Sequence, residues 1–212
     1  MGAGPSSPSN DSDESDPPKT FDIALVGLKD AGKTSILNRL QRPEQPTGLP
    51  SLPQPAPTIG YISQEVPCGQ HLLTLWDFSA ETQADPGKLE YWNVHVFIFA
   101  IDASSPEHIP KAKDELWSLA EQIRKDSSIQ AHPVLVVATK IDKLNGPPDL
   151  DEMSRALDIE GLVKRGRTIG LKGVSAATNE GMEGAMQWVL ENVTHAHITQ
   201  HDETKSAIMR YL

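Results

Sequence analysis

The chain is poor in cysteine, in net positive charge and in long apolar runs. Its one cysteine, Cys68, excludes an intrachain disulfide and fits a reducing compartment. A formal net charge of -10 argues against nonspecific binding to nucleic acid or to an anionic lipid surface. No apolar run approaches membrane-spanning length, and no secretory apolar segment opens the sequence. The final residues, Met209-Arg210-Tyr211-Leu212, lack a prenylation cysteine. No internal repeat is visible. His195, His197 and His201 near the end have no cysteine or carboxylate cage around them, so they read as a solvated tail rather than a metal site.

What is present begins with Gly27-Leu28-Lys29-Asp30-Ala31-Gly32-Lys33-Thr34, a G-x-x-x-x-G-K-[ST] pattern. The apolar run Phe21 to Val26 precedes it with strand character. Ile36, Leu37 and Leu40 follow it at helical spacing. Strand, loop and helix in that order are the context a phosphate-binding loop requires. Its backbone amides must come close to a phosphate and turn sharply, which Gly27 and Gly32 permit. Asp30, Ala31, Gly32 and Ser35 belong to the same cradle. The helix N-terminus adds a favourable dipole. Lys33 places a positive charge on the β- and γ-phosphates, and the Thr34 hydroxyl is a Mg2+ ligand.

The 212 residues suffice for one domain of ordinary size. Residues 1–20 hold Pro, Ser, Gly and acidic side chains and no large apolar residue after Met1, so disorder is expected there. Met1-Gly2-Ala3-Gly4-Pro5-Ser6 fits the loose myristoylation pattern, with Pro5 counting against it. A single acyl chain binds membranes only marginally, and nothing after it supplies a second anchor. Residues 21–194 form the expected domain, and residues 195–212 a polar tail.

Within the domain, strands are expected over about 21–27, 59–66, 72–78, 94–101, 133–138 and 168–174. Val94 to Ile101 is almost continuously apolar, as a strand buried on both faces is. Pro43, Pro46, Pro50, Pro53, Pro55 and Pro57 exclude a helix or central strand and imply a long, stiff loop. Ser105 reads as an N-cap with Pro106 at the first helical position. Ala112, Leu116, Leu119, Ala120 and Ile123 stripe the helix that follows. Leu150, Met153, Ala156 and Leu157 mark a short helix, and Met182, Met186, Val189, Leu190 and Val193 stripe the last one. Alternating strands and helices give an α/β fold with a mostly parallel six-stranded sheet and helices on both faces.

Taken together the motifs resemble those of a small GTPase, a P-loop NTPase of the Ras superfamily, and within it the ADP-ribosylation-factor-like (Arf-like) branch. The residues that carry the resemblance are the phosphate loop, Pro57-Thr58-Ile59-Gly60, Trp76-Asp77-Phe78, Thr139-Lys140-Ile141-Asp142 and Ser175-Ala176-Ala177. Tyr91-Trp92 and Ala112 to Leu116 are smaller echoes. The resemblance implies a G domain that binds GTP or GDP with Mg2+. It implies that Thr58 meets Mg2+ and the γ-phosphate, and that Asp77 holds Mg2+ through its water shell. Asp142 matches guanine's two adjacent N–H donors and rejects a base lacking them. Lys140 packs its stem on the base and braces the phosphate loop. Thr139 and Ser175 belong to the same base site, and the Ala176 N–H donates to guanine's carbonyl oxygen.

The sequence departs from the family pattern in three places. Thr139 stands where asparagine is usual, and its hydroxyl replaces part of the amide's bonding. After Asp77, two glycines and a glutamine are replaced by Ser79, Ala80 and Glu81. Ala80 narrows the backbone where an N–H must reach the γ-phosphate. Glu81 puts a negative charge where the glutamine would orient water. At ~5 Å and an effective dielectric of ~20, its repulsion with the phosphate is roughly 3 kcal/mol before screening. The third departure is the long, proline-rich switch I, either a tolerated insertion or a polyproline II docking segment.

The expected function is a GTP- and Mg2+-dependent switch with weak intrinsic hydrolysis. It presents switch I, the interswitch and switch II to protein effectors and regulators, as a monomer or within a complex. The resemblance places it in the cytoplasm, peripheral to membranes or the cilium, with a weak membrane contact and a role in trafficking. The alternative is a pseudo-GTPase, an interaction module whose nucleotide is structural or absent. An ATP-dependent P-loop kinase is the poorest fit, because Asp142 points to guanine.

Overall fold

A computed structural model describes residues 18–42, 60–79, 94–124 and 132–193. The N-terminal segment to residue 17, most of the proline-rich loop, residues 80–93 and the tail from 194 lie outside the described residues. So do Thr58, Ala80 and Glu81.

The strands are β1 (Thr20–Gly27), β2 (Tyr61–Cys68), β3 (His71–Phe78), β4 (Val96–Asp102), β5 (Val134–Thr139) and β6 (Ile169–Gly173). The helices are α1 (Lys33–Gln41), α2 (Ile109–Arg124), α3 (Leu150–Leu157), α4 (Ile159–Lys164) and α5, residues 182–193. The sheet runs β2-β3-β1-β4-β5-β6. Only the β2–β3 pairing is antiparallel. Helices cover both faces of the sheet. The α/β architecture expected from the alternating pattern is therefore the one observed.

The middle of the sheet is apolar because it is covered twice. All six residues of β5 are buried, as is every residue of β4 except Asp102. Phe21, Ile23, Leu25, Phe97, Ile101 and Leu135 form part of a core with no exposure at all. The edge hairpin differs: β2 is mostly exposed, with Val66 its one buried residue. β1 lies between β3 and β4, so the chain leaves it toward different neighbours on either side. The carboxyl end of such a strand is where open α/β sheets hold ligands.

Local details correct the sequence expectations. Ser105 makes no side-chain cap; its hydroxyl turns back to Asp102 Oδ2 at 3.3 Å. A 3-10 turn, Pro106–His108, intervenes before α2. The expected short helix is followed by a second. Asp158, at φ 55, ends α3 and begins α4, accepting from Gly161 N at 3.3 Å. A Cβ on Gly161 would stand 2.8 Å from that carboxylate, so a larger residue there would displace the Asp158 side chain from its bond to the Gly161 amide.

Candidate functional site

The carboxyl ends of β1, β3, β4, β5 and β6 bring the sequence motifs to one edge of the molecule. Gly27 ends β1 at φ 124, and a Cβ there would stand 2.3 Å from Ala100 O on β4. Only glycine lets the loop turn away so close to a neighbouring strand. Asp30 takes a left-handed φ of 60, and Ala31 is buried. Gly32, at φ 85, is the N-cap of α1.

Among the described residues no side chain caps α1, and no acid stands in its first turn. Helix N-termini leave amide donors that need acceptors, and this one offers them to an anion. Lys33 is buried, with Nζ donating to Gly27 O and Leu28 O at 2.9 Å each. Its ammonium thus lies along the loop rather than in solvent. Ser35 follows in the same first turn.

Thr34 Oγ1 donates to Asp77 Oδ2 at 2.5 Å. Register explains the meeting: Asp77 on β3 pairs with Leu25 on β1, just before the loop. Asp77 has no exposed surface. A hydroxyl and a carboxylate side by side are hard oxygen donors, the set that Mg2+ takes, so these residues fit that ion.

The base motif sits at the end of β5. Thr139 Oγ1 lies 2.8 Å from Ala31 O and 3.1 Å from Ile101 O, joining β5 to the phosphate loop and to β4. Lys140 is left-handed at φ 58. Its Nζ donates to Asp30 O at 2.7 Å and to Asp102 Oδ2 at 2.7 Å. Asp142 Oδ1 accepts from Ser175 Oγ at 2.6 Å, and Ser175 Oγ in turn accepts from Thr178 N at 3.1 Å. Ser175 is fully buried. Ala176 follows it in the loop after β6.

Two residues escaped the sequence reading. Asp102 ends β4 and pairs with Lys140. Burial acts to raise its carboxyl, but hydrogen bonds from Lys140 and Ser104, with the Lys140 charge, bring it below the ordinary value. An acid directly after the apolar run of β4 was the available signal. The second is Arg39, buried on α1, whose guanidinium bonds the carbonyls of Ala176 and Ala177. A cation beside the apolar stripe of α1 was the only hint.

Comparison with known proteins follows the same lines. A family model described as the ADP-ribosylation factor family matches residues 13–193. The ADP-ribosylation factor-like protein 1 of Drosophila melanogaster is 31% identical over 168 residues, which is 79% of this chain and 86% of that protein. The ADP-ribosylation factor-like protein 3 of Caenorhabditis elegans is 29% identical over 176 residues, 82% of this chain and 88% of that protein. Among solved structures, the Arl6 BBS3 small GTPase from Trypanosoma brucei, with bound nucleotide analogue GppNp, aligns with a TM-score of 0.67. It is 21% identical and covers 84% of this chain and 99% of that one, a likeness of fold.

Proposed function

This chain belongs to the ADP-ribosylation factor family and has its guanine-nucleotide-binding fold; from that premise we propose that it binds GTP or GDP with Mg2+ and hydrolyses GTP slowly. The observation that carries the reading is the meeting of Thr34 with buried Asp77 beside the uncapped start of α1.

In this reading the loop amides from Gly27 to Ser35 and the Lys33 ammonium hold the phosphates. Thr34 and Thr58 would hold Mg2+ directly and Asp77 would hold it through its water shell. When bound, that ion neutralises phosphate charge. Asp142 accepts from guanine's N–H donors, with Ser175 orienting it. Lys140 lays its stem along the base while its ammonium ties Asp30 to Asp102. Thr139 replaces the usual asparagine by bonding the loop directly. Ala80 and Glu81 are the reason for slow turnover: the first restricts a backbone donor, the second repels the γ-phosphate.

The interswitch, together with switch I and switch II, is the surface proposed for protein partners. Tyr61 is 60% exposed and Ile62 41% on the outer strand β2. Tyr61 stacks obliquely on Trp76 and Phe78, with ring centres 5.6 and 6.1 Å away, which makes an apolar ridge for a partner. The expected domain start at residue 21 moves back, since Thr20 opens β1 and Lys19 bonds β3. The sequence before β1 and after α5 is polar, and the protein acts in the cytoplasm with at most a weak peripheral membrane contact.

The pseudo-GTPase reading draws on the same Ala80 and Glu81. Chromatography of nucleotide extracted from freshly purified protein separates the two readings. Bound GDP or GTP is expected. A protein that is empty and unchanged by GTPγS with Mg2+ would favour the pseudo-GTPase.

A further inference from the structure

Helix α1 carries a second buried cation beyond Lys33. Arg39 is 5% exposed. Its Nε donates to Ala176 O at 2.6 Å and its Nη2 to Ala177 O at 3.0 Å. These are successive carbonyls of the loop after β6, and a planar guanidinium suits two acceptors presented together. Charged donors also make the stronger hydrogen bonds.

The loop is gripped from its other end as well. Ser175 N donates to Glu180 O at 2.9 Å, and Ser175 Oγ donates to Asp142 Oδ1 at 2.6 Å. Ala176 therefore lies between a residue tied to Asp142 and a carbonyl tied to Arg39, so its backbone is held from both sides. A trans peptide points its C=O and N–H in opposite directions. The two peptides whose carbonyls Arg39 holds carry the Ala177 and Thr178 amides, which turn away from that helix, and the Thr178 amide meets Ser175 Oγ at 3.1 Å. The Ala176 amide belongs to the preceding peptide, fixed between the Ala176 carbonyl on Arg39 and Ser175, whose own N–H and hydroxyl are both bonded. The helix that supplies this grip also begins with Lys33 and Thr34, about 7.5 Å of helical rise before Arg39 counted from Thr34.

We propose that Arg39 is a positioning residue for guanine recognition: it sets the 176–177 backbone so that the Ala176 amide meets the 6-oxo group of the base, and it joins the base end of the site to the phosphate end through α1. This rests on the nucleotide-binding reading given above. Arg39 acts through the loop and does not touch the nucleotide.

The test compares two ligands on the full chain, stripped of nucleotide and kept in Mg2+. Dissociation constants for GDP and for 6-thioguanosine diphosphate, which keeps both N–H donors but replaces the 6-oxo acceptor by a weakly accepting sulfur, are measured by competition with a fluorescent GDP. Wild type, Arg39→Met and Arg39→Lys are compared, with denaturation midpoints recorded for each. Arg39→Met is expected to weaken GDP about tenfold and the analogue by less than about twofold, and Arg39→Lys to recover part of the GDP loss. If Arg39→Met does not fold, the GDP-to-analogue ratio of Arg39→Lys decides, and it is expected to fall. Equal losses for both ligands would make Arg39 a packing residue and overturn the proposal, as would no loss for either. A wild type that binds neither ligand would overturn the functional reading and this proposal with it.

Discussion

Lys140 stands in the left-handed region, and the reason is on its side chain: two oxygens at 2.7 Å, one on the phosphate loop and one on Asp102. Because the folded-state carboxyl of Asp102 lies below its ordinary value, the stability it contributes is complete above the ordinary carboxylate range. That contribution is lost as pH falls through the lowered value. Asp102→Asn is expected to remove this part of the acid limb and to cost about 1–3 kcal/mol at neutral pH. Urea denaturation from pH 3 to 7 checks it, and an acid limb identical to wild type would contradict the assignment. Thr139 allows a second experiment at this scale. Thr139→Val keeps the shape but removes the hydroxyl that lies against Ala31 O and Ile101 O. A loss of about 1–3 kcal/mol is expected, since the single hydroxyl proton no longer reaches either buried carbonyl. An unchanged denaturation midpoint would count against the bond. His132 adds a limb nearer neutrality. Burial, followed by the charges of His95 and Arg167, holds its imidazole below 6.5 despite a backbone hydrogen bond that opposes them. Its contribution to stability is therefore full above 6.5 and declines as pH falls toward the lowered value.

Among the elements, those read most directly from the sequence were the ones whose pattern is local. β4 and β5 are continuous apolar runs because both faces are covered, and the phosphate loop announces itself by Gly27, Gly32, Lys33 and Thr34 between a strand and a helix. What the sequence hid depends on partners far along the chain. Arg39 and the Ala176 carbonyl are 137 residues apart, and no periodicity marks their meeting. Lys140 and Asp102 are 38 apart. The division between α3 and α4 was hidden for another reason: it rests on Asp158 taking a left-handed backbone, which a six-residue helix is too short to advertise. The β1-to-loop junction is where an element-scale test applies. Gly27→Ala would bring a methyl onto Ala100 O in a conformation that side chains disfavour. A loss of about 1–3 kcal/mol and of nucleotide binding is expected, measured by denaturation and calorimetry. The β2–β3 hairpin bears on function through register. Asp77 reaches Thr34 only with Asp77 opposite Leu25. A two-residue slide would keep each side chain on its face yet carry Asp77 away by about 6.6 Å.

At the scale of the whole molecule, the sheet's carboxyl edge gathers an uncapped helix start, a buried lysine, a hydroxyl–carboxylate pair and the Asp142–Ser175 pair. Family membership and this gathering agree on guanine nucleotide, while the slow turnover we propose rests on Ala80 and Glu81. Single-turnover phosphate release should rise on Glu81→Gln, and equal rates would remove the case for a site impaired by that charge. The measurement that bears most directly on the central claim is titration calorimetry of nucleotide-stripped protein with GDP and with GTPγS. In Mg2+ one-to-one binding of both is expected, weakened for GTPγS when the ion is chelated. No heat with either nucleotide in Mg2+ would contradict it.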